Sequence, residues 1–225
     1  MPIKRRFGWI AVLLFAIWFL PVKAQTPSYK VAMEADDVVT RVLFDAVASK
    51  FQLDVQYVYY ASFDAILDSV KAGESDFAAN VTYTPDRALY FDFSSPTNIE
   101  YTYVYSATNA TLDKLHTVGV PKGTIYGELI RKAFPAIALV EYSGQSEALQ
   151  LLKQGTVDGV VDAINQLKPM LLAGYDAQLL NHQLSIKPVS IVSLKGAHHQ
   201  LLKMIEHYVH SAEVQKLLRE SINQY

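Results

Sequence analysis

The chain has 225 residues, 20 of them basic and 22 acidic, with 51% hydrophobic residues and no cysteine. So even a charge balance argues against an electrostatic nucleic-acid surface, and the lack of cysteine excludes disulfides, thiolate metal sites and a lipid-bearing cysteine. The apolar content suffices for one bilobed domain or two small ones.

Residues 1–24 have the make-up of an export signal. Lys4, Arg5 and Arg6 precede an apolar run over residues 7–20, and Val22-Lys23-Ala24 places short side chains where a signal peptidase cuts. The run is shorter than the ~20 apolar residues of a spanning helix and ends at Pro21. Cleavage after Ala24 and delivery to a Gram-negative periplasm are expected, with an uncleaved anchor as the alternative. Cleavage removes Lys4, Arg5, Arg6 and Lys23 from the 20 basic residues, so the mature chain is mildly acidic.

Residues 29–33 predict a strand and Glu34-Ala35-Asp36-Asp37 an acidic loop. Apolar residues at helical spacing (Val39, Val42, Leu43, Ala46, Val47) then predict a helix over 38–51. A second strand follows over 53–59, then a helix capped by Ser62, carrying Phe63, Ile66, Leu67 and Val70, and closed by Gly73. The third strand, 75–79, runs into Asn80-Val81-Thr82-Tyr83-Thr84-Pro85-Asp86-Arg87. This order is that of parallel βαβ units, whose ligands lie at the C-terminal ends of the strands.

Thr84-Pro85 reads as a helix start with Thr at the cap and Pro at the first position, which puts Arg87 in the first turn. Free backbone N–H groups there favour an anion, and a guanidinium matches a carboxylate in bidentate fashion. The competing reading is a surface pair of Arg87 with Asp86 or Asp92.

The alternation of Tyr101, Tyr103 and Tyr105 predicts a strand over 100–105, able to lead into a second lobe. A second α/β series follows: a strand at 117–120, a turn at Lys122-Gly123-Thr124, a helix at 125–134 and a strand at 136–141. After it come a helix from Ser143 to Gly155, a strand at 157–161 with Asp162 at its exit, and a helix at 163–172 ended by Gly174. Residues 185–193, interrupted by Pro188, predict a strand returning to the first lobe, and two amphipathic helices end the chain.

Arg87 and Asp162, one from each lobe, would suit a zwitterion, the carboxylate on the first and the ammonium on the second. Asp162 as a plain helix cap is the competing reading. The histidines around His198, His199, His207 and His210 read as a solvated polar face, so no metal is expected. Neither a phosphate loop nor a Gly-x-Ser-x-Gly elbow occurs. Among the tyrosines, Tyr59, Tyr60, Tyr83 and Tyr126 fall in loops near the expected cleft.

Three stretches are similar to the first-lobe signature of family 3 extracellular solute-binding proteins: Phe63-Asp64-Ala65-Ile66-Leu67 with Lys71-Ala72-Gly73-Glu74-Ser75-Asp76, Thr82-Tyr83-Thr84-Pro85-Asp86-Arg87, and Phe91-Asp92-Phe93-Ser94-Ser95-Pro96. Glu147-Ala148-Leu149-Gln150-Leu151-Leu152-Lys153-Gln154-Gly155 and Val157-Asp158-Gly159-Val160-Val161-Asp162 resemble the second-lobe signature. Val118-Gly119-Val120-Pro121-Lys122-Gly123-Thr124 resembles the loop that caps the ligand carboxylate.

The resemblance implies a two-lobed α/β periplasmic-binding-protein fold of type II, with residues 25–105 plus 187–225 as lobe 1 and 106–186 as lobe 2. By it Arg87, Thr82, Asn80, Lys122 and Thr124 would surround the α-carboxylate and Asp162 would hold the α-ammonium. Two departures stand out. Met33-Glu34-Ala35-Asp36-Asp37 leads almost directly into the helix where family members carry a longer loop with an aromatic clamp, and Thr97 stands where a Tyr is common. Both are expected to open the cleft.

The expected function is non-enzymatic capture of a small amino-acid-like or carboxylate solute by a monomer, without cofactor, metal or nucleic acid, for an inner-membrane ABC permease. The alternatives are a sensor protein as partner, or a dehydratase-like enzyme using an acid such as Glu34, Asp36 or Glu141.

Overall fold

A computed structural model describes residues 26–180, 184 and 186–222; the expected export signal over residues 1–24 lies outside the described residues. Strands β1 (Ser28–Met33), β2 (Asp54–Tyr59) and β3 (Phe77–Thr82) alternate with helices α1 (Val38–Phe51) and α2 (Phe63–Lys71). A short β4 (Phe91–Phe93) and a long β5 (Asn98–Ser106) follow. The second series is β6 (Thr117–Pro121), α3 (Tyr126–Ala133), β7 (Ala138–Tyr142), α4 (Gly144–Lys153), β8 (Gly159–Ala163), α5 (Leu167–Leu172) and β9 (Asp176–Leu179). Strand β10 (Ile186–Leu194) and helices α6 (His199–Val209) and α7 (Ala212–Ile222) complete the fold. Among the described residues no helix is long and apolar enough to cross a membrane.

The sheet order is β2-β1-β3-β10-β5-β8-β6-β7, with β4 on β10 and β9 on β5. Two parallel units, β2-β1-β3 and β8-β6-β7, are thus joined through antiparallel strands. β5 belongs to both halves: Asn98 to Tyr101 pair with β10, and Thr102 to Ser106 pair with β8. Each half has its own core. Val31, Leu43, Phe44, Phe77, Ile205 and Leu218 pack together in the first, and Val104, Val118, Ile130 and Val161 in the second.

Most expected elements form, with informative shifts at their ends. β3 continues three residues past the predicted end because a bulge accommodates it: Ile191 of β10 faces both Ala79 and Asn80, and Asn80 has φ 58°. Asn tolerates that left-handed backbone better than a branched residue would. Ser62 occupies the cap position of α2 but does not cap it, since its hydroxyl donates to the Asp64 carboxylate. Asp162 lies inside β8 rather than at its exit, and the predicted helix after it begins as a short 3-10 turn at Ile164–Gln166. β4 and β9 were not expected, being only three and four residues long.

Candidate functional site

The C-terminal ends of β1, β3, β6, β7 and β8 converge on one cavity, which also receives Glu100 from β5. On the first side, Glu34 follows β1 at once and the chain turns into α1, with the Asp37 N–H donating to the Glu34 carbonyl at 3.2 Å. Asp37 caps α1: it accepts from the Thr40 N–H at 2.9 Å, the Thr40 hydroxyl at 2.5 Å and the Asn80 amide at 3.1 Å. The bulge at Asn80 turns that amide toward α1. The short loop thus leads straight into α1 and sets Glu34 and Asp37 in the cavity wall.

Arg87 sits in a 3-10 turn of three residues, Arg87–Leu89, rather than in the first turn of an α-helix. Its own N–H is spent on the Thr84 hydroxyl at 3.2 Å, so the expected anion site of free helix N–H groups is not what forms. The side chain is placed instead. Nη1 donates to the Thr82 carbonyl at 2.7 Å, Nη2 donates to the Gly123 carbonyl of the opposite half at 2.6 Å, and the guanidinium lies over Phe63. A guanidinium has five N–H donors, so three remain for a further acceptor. Asp92 accepts from the Gly196 N–H, and Arg87 forms no surface pair with it among the described residues.

From the second half come the β6–α3 loop, Tyr126, Tyr142, Gln145 and the β8 exit. Asp162 accepts from the Tyr142 hydroxyl at 2.6 Å and from the Ala163 N–H at 2.7 Å, and Glu100 accepts from the Tyr126 hydroxyl at 2.8 Å. The halves touch closely: a Cβ on Gly123 would lie 2.6 Å from the Asp64 backbone, and one on Gly144 2.7 Å from the Ala61 carbonyl. The Gln166 amide donates across to Asp36 at 3.3 Å.

Acids outnumber bases here. Glu34, Asp37, Glu100 and Asp162 line the cavity, and Arg87 is the one cation among the described lining residues. Burial, reinforced by Asp162, Asp36, Asp37 and Glu100, lifts Glu34 to about 8. Burial also lifts Glu100 to about 7, against the Tyr126 hydrogen bond and Arg87, and Asp162 to about 6, against the bonds from Tyr142 and Ala163. Burial lowers the affinity of Arg87 for its proton, with Glu100 opposing.

Of the residues singled out in the sequence, Asn80, Thr82, Arg87, Thr124 and Asp162 line the cavity. The Thr124 hydroxyl donates to its own loop at Pro121, and Asn80 is engaged with Asp37. Lys122 is not among the lining residues; its N–H pairs with the Tyr142 carbonyl. Of the four tyrosines only Tyr126 reaches the cavity, while Tyr59 and Tyr83 are 52% and 60% exposed. Thr97, just before β5, is buried against β10, its hydroxyl bonded to Asn98 and Val189. Sequence reading missed Glu100, hidden in an alternating strand, and Gln145, Asn165 and Gln166, uncharged residues at helix starts.

The chain matches the profile of the bacterial extracellular solute-binding proteins, family 3, over residues 34–169. Among solved structures, a protein described as VC protein is 62% identical with a TM-score of 0.83; the match covers 89% of this chain but only 46% of that one, so the chain spans about half its length. The Streptococcus pneumoniae amino acid ABC transporter substrate-binding protein AbpA, bound to L-arginine, shares the fold at 20% identity (TM-score 0.75, covering 87% of this chain and 94% of that one). So does the Bordetella pertussis BvgS VFT2 domain at 18% identity (TM-score 0.72, covering 88% and 93%). No curated protein sequence matches. The chain belongs to the family 3 extracellular solute-binding proteins, a family of binding proteins with the two-lobed type II fold.

Proposed function

We propose that the protein captures a small amino-acid-like solute in the periplasm, as a monomer, and hands its closed form to an inner-membrane ABC permease. One observation carries the reading: Arg87, oriented by a carbonyl from each half, and Asp162 line the same cavity from opposite sides. The three free N–H donors of Arg87 take the solute's carboxylate, and Asp162 takes its ammonium. Residues 25–105 plus 187–225 and residues 106–186 act as two lobes that close about β5 and β10.

The test is a thermal-shift screen of amino acids. A true ligand at 100 times its dissociation constant stabilises by ~2.7 kcal/mol. Arg87→Ala removes a charge-assisted, partly desolvated contact and is expected to weaken binding by about a hundredfold or more while the protein stays folded. Unchanged affinity in that variant overturns the assignment.

A second reading is capture for a signalling protein: the 62% identical relative is a longer chain of which the match covers 46%, so a module of this kind also occurs joined to further chain. Growth on the ligand as sole nitrogen source after disruption of this chain separates the two: lost uptake indicates transport, and intact uptake with an altered ligand response indicates sensing.

A further inference from the structure

Glu34 and Glu100 have no task in the reading above, which uses only Arg87 and Asp162 for a zwitterion. Asp37 is saturated as the cap of α1, whereas the Glu34 carboxylate accepts no hydrogen bond and makes no ion pair among the described residues. Glu100 holds a single donor, Tyr126. A second observation, independent of the acids, points the same way. Gln166 is 4% exposed, lines the cavity, and has no partner for Oε1; Asn165 Oδ1, on the same wall, also lacks one. These are two acceptors left over in the cavity lining against one unpartnered donor there, Gln145 Nε2, and an orphaned buried acceptor costs stability until a donor meets it.

Resting on the assignment of the solute's carboxylate to Arg87 and its ammonium to Asp162, we propose that the solute is a cationic amino acid, whose terminal guanidinium or ammonium lies against Glu34 and Glu100 with Asn165 and Gln166 as further acceptors. The chemistry of the wall selects this class. A guanidinium brings five N–H donors and an ammonium three, each with the charge that two carboxylates lack, whereas an apolar or acidic side chain leaves the acceptors unpaired or adds to their repulsion. The groups facing the two glutamates come from every surrounding element. Asp36 and Asp37 come from the β1–α1 turn, Arg87 from the turn after β3, Tyr126 from α3, and Asp162, itself bonded to Tyr142 of β7, from β8. Lys187 of β10 stands opposite Glu100 in register. Because the acids favour their protonated forms near neutrality, a bound cation expels protons, and its affinity rises with pH.

The test is titration calorimetry of the purified protein at about pH 8.5, where the carboxylates are mostly ionised, with L-arginine, L-ornithine, L-citrulline, L-glutamine and putrescine. L-Citrulline keeps the shape of arginine without its charge. Arginine or ornithine is expected to bind about a hundredfold tighter than citrulline and glutamine, and Glu34→Gln to shrink that ratio by about tenfold. Net proton release near pH 7 is expected from runs in buffers of different ionisation enthalpy. Citrulline or glutamine binding as tightly as arginine and ornithine overturns the inference and leaves the amino-acid reading standing. Putrescine binding as tightly as ornithine instead overturns the carboxylate role of Arg87 on which the inference rests. The ratio is read in the unaltered protein, so the outcome stands even if Glu34→Gln fails to fold.

Discussion

A single guanidinium shows how much of this site depends on side-chain placement rather than on residue type. Arg87 was legible because a Thr-Pro-Asp-Arg stretch after a strand leaves few other roles for it, yet the bonds that aim it, to the Thr82 and Gly123 carbonyls, come from backbone that no sequence pattern marks. Glu34 carries a consequence for stability. Its native affinity for a proton, and those of Glu100 and Asp162, exceed the values of the unfolded chain, so the native state binds more protons between about pH 4 and pH 8. The stability these groups lend is complete below their unfolded values and is lost as pH rises through about 6, 7 and 8 in turn. Thermal unfolding without added ligand should therefore come at a lower temperature at pH 8.5 than at pH 5.5, and Glu34→Gln should recover part of that difference, on the order of 5 °C for a chain of this size. Equal slopes in both proteins would refute the placement of Glu34. Glu100 was not legible, because alternation over residues 98–106 reports packing and says nothing about which polar position faces a ligand.

At the scale of elements, the β1–α1 junction does two jobs with one short turn. Asp37 caps α1 and ties the bulged end of β3 to it through Asn80. Asp37→Ala loses the cap and strands the Asn80 amide, so urea unfolding should register a loss of about 2 kcal/mol, against less for Asp37→Ser, which keeps a capping oxygen. Equal losses for the two substitutions would argue against the cap as the cause. The long helices and parallel strands were legible from apolar periodicity. β4 and β9 were not, since three or four residues are too few to show a period and their pairing with β10 and β5 is decided by distant chain. The bulge at Asn80 was likewise invisible, being fixed by the register against Ile191.

For the whole molecule, the closeness of the two halves rests on glycines. Gly123, at φ 76°, lies against the Asp64 backbone, and Gly144 lies against the Ala61 carbonyl. Gly123→Ala puts a methyl where backbone already stands, so the halves must part. The expected result is a larger radius of gyration by small-angle scattering in the presence of ligand, and affinity reduced by about tenfold, with ~1 kcal/mol of stability lost to the strained φ. An unchanged scattering profile and affinity would show that closure does not pass through this contact. Two α/β series in one chain suggested two lobes, but only the shared strand β5 shows how they connect.

That shared strand also sets the leverage at each point of the cavity. Glu100 stands where β5 passes from its partner β10 to its partner β8, so it lies at the fulcrum, while Glu34, Arg87 and the β6–α3 loop lie out along the jaws. In the closure proposed above, the jaw residues would travel far and Glu100 little. If the solute is the cation proposed above and the halves close about β5 and β10, the contact at Glu100 is the one that changes least with the opening angle, and the contacts from the jaws are the ones that closure adds.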